Sequence, residues 1–156
     1  MKKHNLCLIF LFEILAAVQF LPLTAFGHET RSLTPSELKE IYSAAGLTER
    51  NGKIFDACDR PTKPEIEVKD LNTDGTPEVF VHVPSLCYGH SGNLSLLIKD
   101  KKGNWKDNFG FTGVYRILDT KSMGYPDIEI GGPGTCFPVW RWNGKAYAIH
   151  KRCDRR

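Results

Sequence analysis

Asp70-Leu71-Asn72-Thr73-Asp74-Gly75-Thr76-Pro77-Glu78 runs directly into Val79-Phe80-Val81-His82-Val83, and these fourteen residues decide the fold. The second half alternates. Val79, Val81 and Val83 point one way while Glu78, Phe80 and His82 point the other, the period-two pattern of a strand. The first half gathers Asp, Asn, Thr and Gly, side chains that bond their own backbone and favour turns. A strand entered through such a turn calls for an antiparallel partner, and Glu65–Lys69 lies on the far side of the turn.

The same texture continues outward. Eleven of the fourteen glycines lie from Gly75 onward, and short apolar runs alternate there with turn signals. Strands are expected at 53–57, 65–69, 78–83, 94–99, 105–109, 114–118, 127–130, 139–142 and 145–151. Asn143-Gly144 reads as the strongest hairpin turn in the chain, and Asp100-Lys101-Lys102-Gly103 as a longer one. One helix precedes them. Thr34 caps it, Pro35 occupies its first turn, Glu37 completes a capping box, and Gly46 stops it. Leu38, Ile41, Tyr42 and Ala45 form its apolar stripe, expected to pack on the rest of the domain. Trp105, Trp140, Trp142, Tyr125 and Tyr147 read as core in preference to the lining of a groove.

The chain also echoes itself. Gly75-Thr76-Pro77-Glu78-Val79-Phe80-Val81 matches Gly124-Tyr125-Pro126-Asp127-Ile128-Glu129-Ile130, 49 residues later. A cysteine follows each proline at ten residues, Cys87 in one copy and Cys136 in the other. A repeated strand–loop–hairpin unit predicts a mainly β domain, an antiparallel meander of partial propeller style with one N-terminal helix. Two copies do not close a ring.

Residues 1–27 read as a secretory signal: Lys2 and Lys3, an apolar stretch too short to span a bilayer, then Ala25-Phe26-Gly27 at the cleavage point. No cysteine stands there for lipid attachment, so no membrane anchor is expected after processing. A single periplasmic or secreted domain, 28–156, follows. The signal removes Lys2, Lys3 and Glu13 from 21 basic and 18 acidic residues, leaving 19 and 17. That balance excludes a strongly basic nucleic-acid binder.

Cys58, Cys87, Cys136 and Cys153 remain in the exported chain, an even count that reads as two disulfides. No pair has Cys-x-x-Cys spacing and His90 stands alone, so zinc is disfavoured. If 65–69 and 78–83 pair across the Asp70 turn, facing numbers sum to about 147, and Cys58 and Cys87 sum to 145. If Trp142 faces Lys145, facing numbers sum to 287, and Cys136 and Cys153 sum to 289, a diagonal pair. Each bridge then clips one hairpin. The rival pairing joins Cys87 to Cys136 and Cys58 to Cys153.

The turn carries the chain's one metal-ligand pattern. Asp70, Asn72 and Asp74 offer side-chain oxygens from alternate positions, Gly75 permits the sharp bend, and the Thr76 carbonyl and Glu78 carboxylate complete a shell suited to calcium. An EF-hand needs Glu at position twelve, where Val81 stands. The stretch Asp70 to Val81, D-L-N-T-D-G-T-P-E-V-F-V, resembles the calcium loop of integrin-α-type propeller repeats, the FG-GAP or VCBS class. The resemblance implies a loop joining two strands, calcium as the ion, Glu78 as the ligand at position nine, and a binding or adhesion scaffold. The second copy departs from it: Asp119, Thr120, Lys121, Ser122 and Met123 precede Gly124, so one metal loop is implied.

Three functions are expected to compete. The leading reading is a protein-binding module of periplasmic-inhibitor or immunity type, acting on an enzyme or toxin. Its contact surface is expected on the loop 85–93, at Tyr88, Gly89, His90 and Ser91, with 131–135 as its neighbour, since loops on rigid frames carry binding. A calcium-dependent surface or glycan adhesion module is the alternative. A cell-wall hydrolase is the third, using Cys87 with His90, or Ser85 with His82 and Asp70. No Gly-x-Ser-x-Gly elbow supports that arrangement.

Overall fold

The structure, a computed structural model, describes residues 32–131 and 136–153. The expected signal, 1–27, lies outside the described residues. Helix α1 (Pro35–Ala44) begins as its sequence dictates: Thr34 Oγ1 accepts the Glu37 N–H at 3.2 Å, and Glu37 Oε2 accepts the Thr34 N–H at 3.0 Å. Such a cap contributes about 1 kcal/mol. At the other end the Gly46 N–H bonds the Ser43 carbonyl and the Leu47 N–H the Tyr42 carbonyl. This Schellman closure places Gly46 at φ +74° and turns Leu47 into the core.

A small sheet follows, built from β1 (Thr48–Arg50), β2 (Lys53–Phe55) and β3 (Pro61–Thr62). Then come two four-stranded antiparallel meanders. The first is β4 (Glu65–Lys69), β5 (Glu78–Val83), β6 (Asn93–Lys99) and β7 (Trp105–Phe111). The second is β8 (Val114–Ser122), β9 (Tyr125–Gly131), β10 (Val139–Trp142) and β11 (Tyr147–Lys151). The mainly β class and the single helix among the described residues are as the sequence predicts.

The two copies of the echo fall on equivalent strands, β5 and β9. Val79 and Val81 of the first copy pack against Ile41, Leu47, Leu97 and Trp105, on the helix side. Ile128 and Ile130, their equivalents, pack against Phe80, Leu94, Leu96 and Phe109, on the opposite face of the first sheet. The sheets therefore stack in the same sense, like consecutive blades, with no ring closed. Helix α1 covers the free face of the first sheet. The free face of the second ends in charge pairs instead, Arg116 with Glu129 and Arg141 with Asp127. A stack of apolar-faced units needs such polar ends to stay soluble. The expected core aromatics are there: Trp105, Tyr125 and Tyr147 are buried, and Trp140 and Trp142 lie against them.

Connections alternate between two ends. The β4–β5 loop, the β6–β7 hairpin, the β8–β9 turn and the β10–β11 hairpin share one, the acidic-loop end. The β5–β6 loop and both disulfides share the other. Cys58–Cys87 and Cys136–Cys153 are bridged, with Cα–Cα distances of 5.8 and 5.7 Å. The β4–β5 register sums to 147, as expected.

Several boundaries differ from expectation. Strand β2 ends at Phe55, β7 runs on to Phe111, β8 to Ser122, and β9 starts at Tyr125. The last hairpin departs most. Trp142 faces Tyr147, not Lys145, so β10–β11 numbers sum to 289 from Trp140 to Trp142 and, past a bulge, to 290 where Val139 faces Lys151; Cys136 and Cys153 lie beyond the paired residues, with Cα atoms 5.7 Å apart. The cause is the Asn143 side chain, whose Oδ1 accepts the N–H groups of Lys145 and Ala146 at 3.0 Å and widens the loop to four residues. Tight two-residue turns occur at Asn51-Gly52, joining Arg50 to Lys53, and at Met123-Gly124, joining Ser122 to Tyr125. All four residues have positive φ, 52° and 72° in the first and 51° and 87° in the second, as a type I′ turn requires.

Candidate functional site

At the acidic-loop end the turn is already wound around its own side chains. Asp70 accepts the N–H groups of Asp74 at 3.1 Å and Gly75 at 2.9 Å. Asn72 Oδ1 accepts the Asp74 N–H at 3.1 Å, and Asp74 Oδ1 accepts the Thr76 N–H at 2.7 Å. The Asn72 amide donates to Asp74 Oδ2 at 2.7 Å. That bond, with the Thr76 N–H, holds the Asp74 carboxyl below its usual range. Thr73 and Gly75 take the left-handed conformation, φ 60° and 85°, that aims alternate side chains inward.

Glu78 is the unusual member. It begins β5 facing the second sheet and is 2% exposed. Its Oε2 accepts the Leu71 N–H at 2.8 Å, and its Oε1 accepts the Tyr125 hydroxyl at 3.2 Å. Burial pushes the carboxyl up, the Asp74 and Asp70 charges add to it, and the result is about 7. The same burial, with Glu78 beside it, pushes the Tyr125 phenol up. Asp70, Asn72, Asp74, Thr76 and Glu78 therefore lie along one loop; the side chains of Asp70, Asn72 and Asp74 share one hydrogen-bond network, and Glu78 is held separately by Leu71 and Tyr125. Among the described residues the one compact group of three potential metal-binding side chains is elsewhere, Asp56 with Cys58 and Cys87, and those sulfurs are spent in the disulfide.

A stability consequence follows for the metal-free protein. Below pH 4.5 Glu78 is neutral in both folded and unfolded chains, and its burial carries no penalty. As pH rises from 4.5 towards 7 the unfolded chain releases the proton first, so folding loses stability. The expected loss is about 3 kcal/mol, from about 1.4 kcal/mol per pKa unit. Urea denaturation in chelator at stepped pH measures it as the difference between the natural chain and Glu78→Gln. Parallel profiles for the two would contradict the assignment.

The disulfide end is built differently. Between β5 and β6 the chain makes a 3-10 turn, Leu86–Tyr88, whose cap Ser85 accepts the Cys87 N–H at 3.1 Å. Ser85 Oγ donates to Asp56. Asp56 also accepts the N–H groups of Cys58 and Arg60, at 2.9 and 3.0 Å. Burial alone would raise that carboxyl; these donors outweigh it and hold it low. Cys87 is bonded to Cys58, and the Tyr88 hydroxyl accepts the Ala57 N–H at 3.3 Å. His82 Nε2 lies 3.1 Å from the Ser91 carbonyl. Gly92 has φ +67°, and a Cβ there would stand 2.5 Å from the Val83 carbonyl oxygen.

This network separates the expected contact residues. Gly89 and His90 are exposed at the loop's crest, Ser91 is held by its carbonyl, and Tyr88 is turned inward against Val83's side of the core. Leu86 projects into solvent with 71% of its surface exposed. Sequence reasoning passed over Leu86 because a single apolar residue in a loop has no periodicity to mark it. It also passed over Asp56, whose role depends on Ser85, 29 residues away. Of the hydrolase sets, Cys87 is oxidised, Ser85 is bonded to Asp56, and Asp70 lies at the opposite end of β5 from Ser85 and His82. The neighbouring loop, expected at 131–135, lies outside the described residues beyond Gly131. No helix among the described residues is long and apolar enough to cross a membrane, and the two disulfides indicate an oxidising compartment. No protein-family model, curated protein or solved structure matches this chain.

Proposed function

We propose that this chain is an exported protein-binding module of inhibitor type, which presents Leu86 on a fixed loop to the cleft of a cell-wall-degrading enzyme. The observation that supports it is the contrast at residues 84–92: a large apolar side chain, 71% exposed, on a loop pinned by a disulfide, a buried carboxylate and a tyrosine. Ordering a loop on binding costs free energy, and a loop ordered beforehand avoids that cost. An aliphatic side chain seated in a partner's pocket can serve as the central anchor of such an interface. Purified muramidases, amidases and endopeptidases, assayed with the folded protein, test the proposal. Inhibition by the natural chain is expected, and Leu86→Asp should weaken it by about 2–4 kcal/mol. Equal inhibition by the two proteins, or none of any class, overturns it.

Calcium belongs to the same reading as a stabiliser of the frame. The donor set supports it: oxygens at Asp70, Asn72, Asp74, Thr76 and Glu78 are what a hard cation prefers. The six residues of β5 span about 20 Å, so an ion at this loop would not touch a partner at Leu86. It would stabilise the ionised form of Glu78. Calcium should therefore abolish the decline in stability seen in chelator, and Asp74→Ala should restore that decline. Adhesion to glycans or cells that requires calcium would favour the alternative module.

A further inference from the structure

A second feature of the disulfide end lies between the sheets. Strand β4 is an edge strand, and its Glu65 and Glu67 face the same side as Phe80, His82 and Leu94, towards the second sheet. Two positions that would close the core with apolar side chains carry carboxylates instead. Beside Glu65 a cleft of about 460 Å³ opens, closed on the Glu67 side by the Tyr115 hydroxyl of β8, which donates to the Glu67 carboxylate. Its accessible floor is the half-buried Tyr115 ring, which stacks on Phe80 with centroids 4.0 Å apart; Phe80 and Leu94 lie buried beneath it.

The chemistry of a fitting ligand follows from these walls. Glu67 is already partnered by Tyr115 and Lys69, and a purely apolar group would strip water from the Glu65 carboxylate without replacing it. An anion would be repelled. A cationic head on an apolar stem meets both demands, with the stem on the aromatic floor and the head at the rim. The chain's own Lys69 already shows the affinity of the rim for a cation, its ammonium 2.8 Å from Glu67 and 5.9 Å from the Tyr115 ring centroid. The Glu65 side chain remains 75% exposed, with His82 Nδ1 at 3.2 Å. A planar guanidinium, with donors in a fork, suits a carboxylate better than a second ammonium does.

We propose that this cleft receives an arginine side chain from the protein partner that engages the Leu86 loop. The proposal rests on the binding-module reading for the partner, and on the cleft alone for the ligand. His82 lies between the two, its Nδ1 3.2 Å from Glu65 and its Nε2 3.1 Å from the Ser91 carbonyl of the loop. The partner accordingly carries a basic residue beside the pocket that takes Leu86.

The test uses N-acetyl-arginine methylamide and its uncharged citrulline counterpart, each titrated into the isotope-labelled exported chain and followed by backbone amide shifts. The arginine amide should move the resonances of Glu65, Glu67 and Tyr115 saturably, with a Kd of about 1–10 mM. The citrulline amide should bind at least about tenfold more weakly. Glu65→Gln, at an exposed side chain, should weaken the arginine amide about threefold, and with Glu67→Gln should remove the saturable shift. Equal binding of the two amides overturns the proposal, as does silence up to about 50 mM. Glutamine variants that bind normally but self-associate would assign the carboxylates to protection of the β4 edge and also overturn it. The titration contains no partner, so its failure leaves the inhibitor reading standing, and absence of inhibition leaves the cleft standing.

Discussion

Phe80→Ala should lower the free energy of unfolding by about 3–5 kcal/mol, the range for removing a fully buried phenylalanine. Phe80 lies on β5, the central strand of the first sheet, and is 1% exposed. It is the side chain on which the second sheet rests: Ile128, Ile130, Tyr125 and Tyr147 share its cluster, and Tyr115 stacks directly on it. Truncation removes its transfer energy and leaves a cavity that two twisted sheets cannot close by collapse. Since small domains are stable by only about 5–15 kcal/mol, the variant should sit near the edge of folding. Urea denaturation measures it, with Leu86→Ala, whose side chain is 71% exposed, as a control expected within about 0.5 kcal/mol. A cost for Phe80→Ala below about 1.5 kcal/mol would show that the sheets do not depend on this contact.

Replacing Cys58 and Cys87 together by serine should cost about 3–4 kcal/mol. The bridge closes a loop of 29 residues, and chain-entropy reasoning scales its effect with the logarithm of that length. Cys136 and Cys153, 17 residues apart, should cost slightly less, about 3 kcal/mol. The first pair has a further consequence that the second lacks. Without it, residues 84–92 keep only hydrogen bonds, to Asp56, through Tyr88, beside His82 and within their own backbone, and Leu86 loses its fixed presentation. Limited proteolysis should then cut this segment first, and any inhibition should fall further than the loss of folded protein explains. Unchanged protease resistance there would mean that the disulfide does not set the loop.

Local chemistry explains why much of this was legible beforehand. The capping box at Thr34 and Glu37 and the stop at Gly46 are contacts between residues three to five apart, and they formed as read. The β4–β5 register followed from one turn and one alternation. Cys58 does bond Cys87, but from the β2–β3 connection of the small sheet and not from an extension of β4. Where a side chain competed with the backbone, reading the turn failed. Asn143 bonded two N–H groups and widened its hairpin, while Asn51-Gly52, the same dipeptide, made a tight turn. Strands β1 and β3 carry no alternating pattern, and pairing alone defines them.

The amino-acid sequence by itself determined the helix, the strands of the two four-stranded meanders, their antiparallel order and the oxygen-rich loop, because each rests on interactions short in sequence or on a two-residue period; it favoured the disulfide partners found without excluding the rival pairing. Tertiary structure alone decided which face of β5 meets the helix and which meets the second sheet, since Val79 and Phe80 are both apolar and the pattern does not rank them. It also decided that Glu78 is buried under Tyr125, that Leu86 is exposed, and that Glu65 and Glu67 rim a cleft. Burial and desolvation are set by surfaces that arrive from dozens of residues away, and no local period records them.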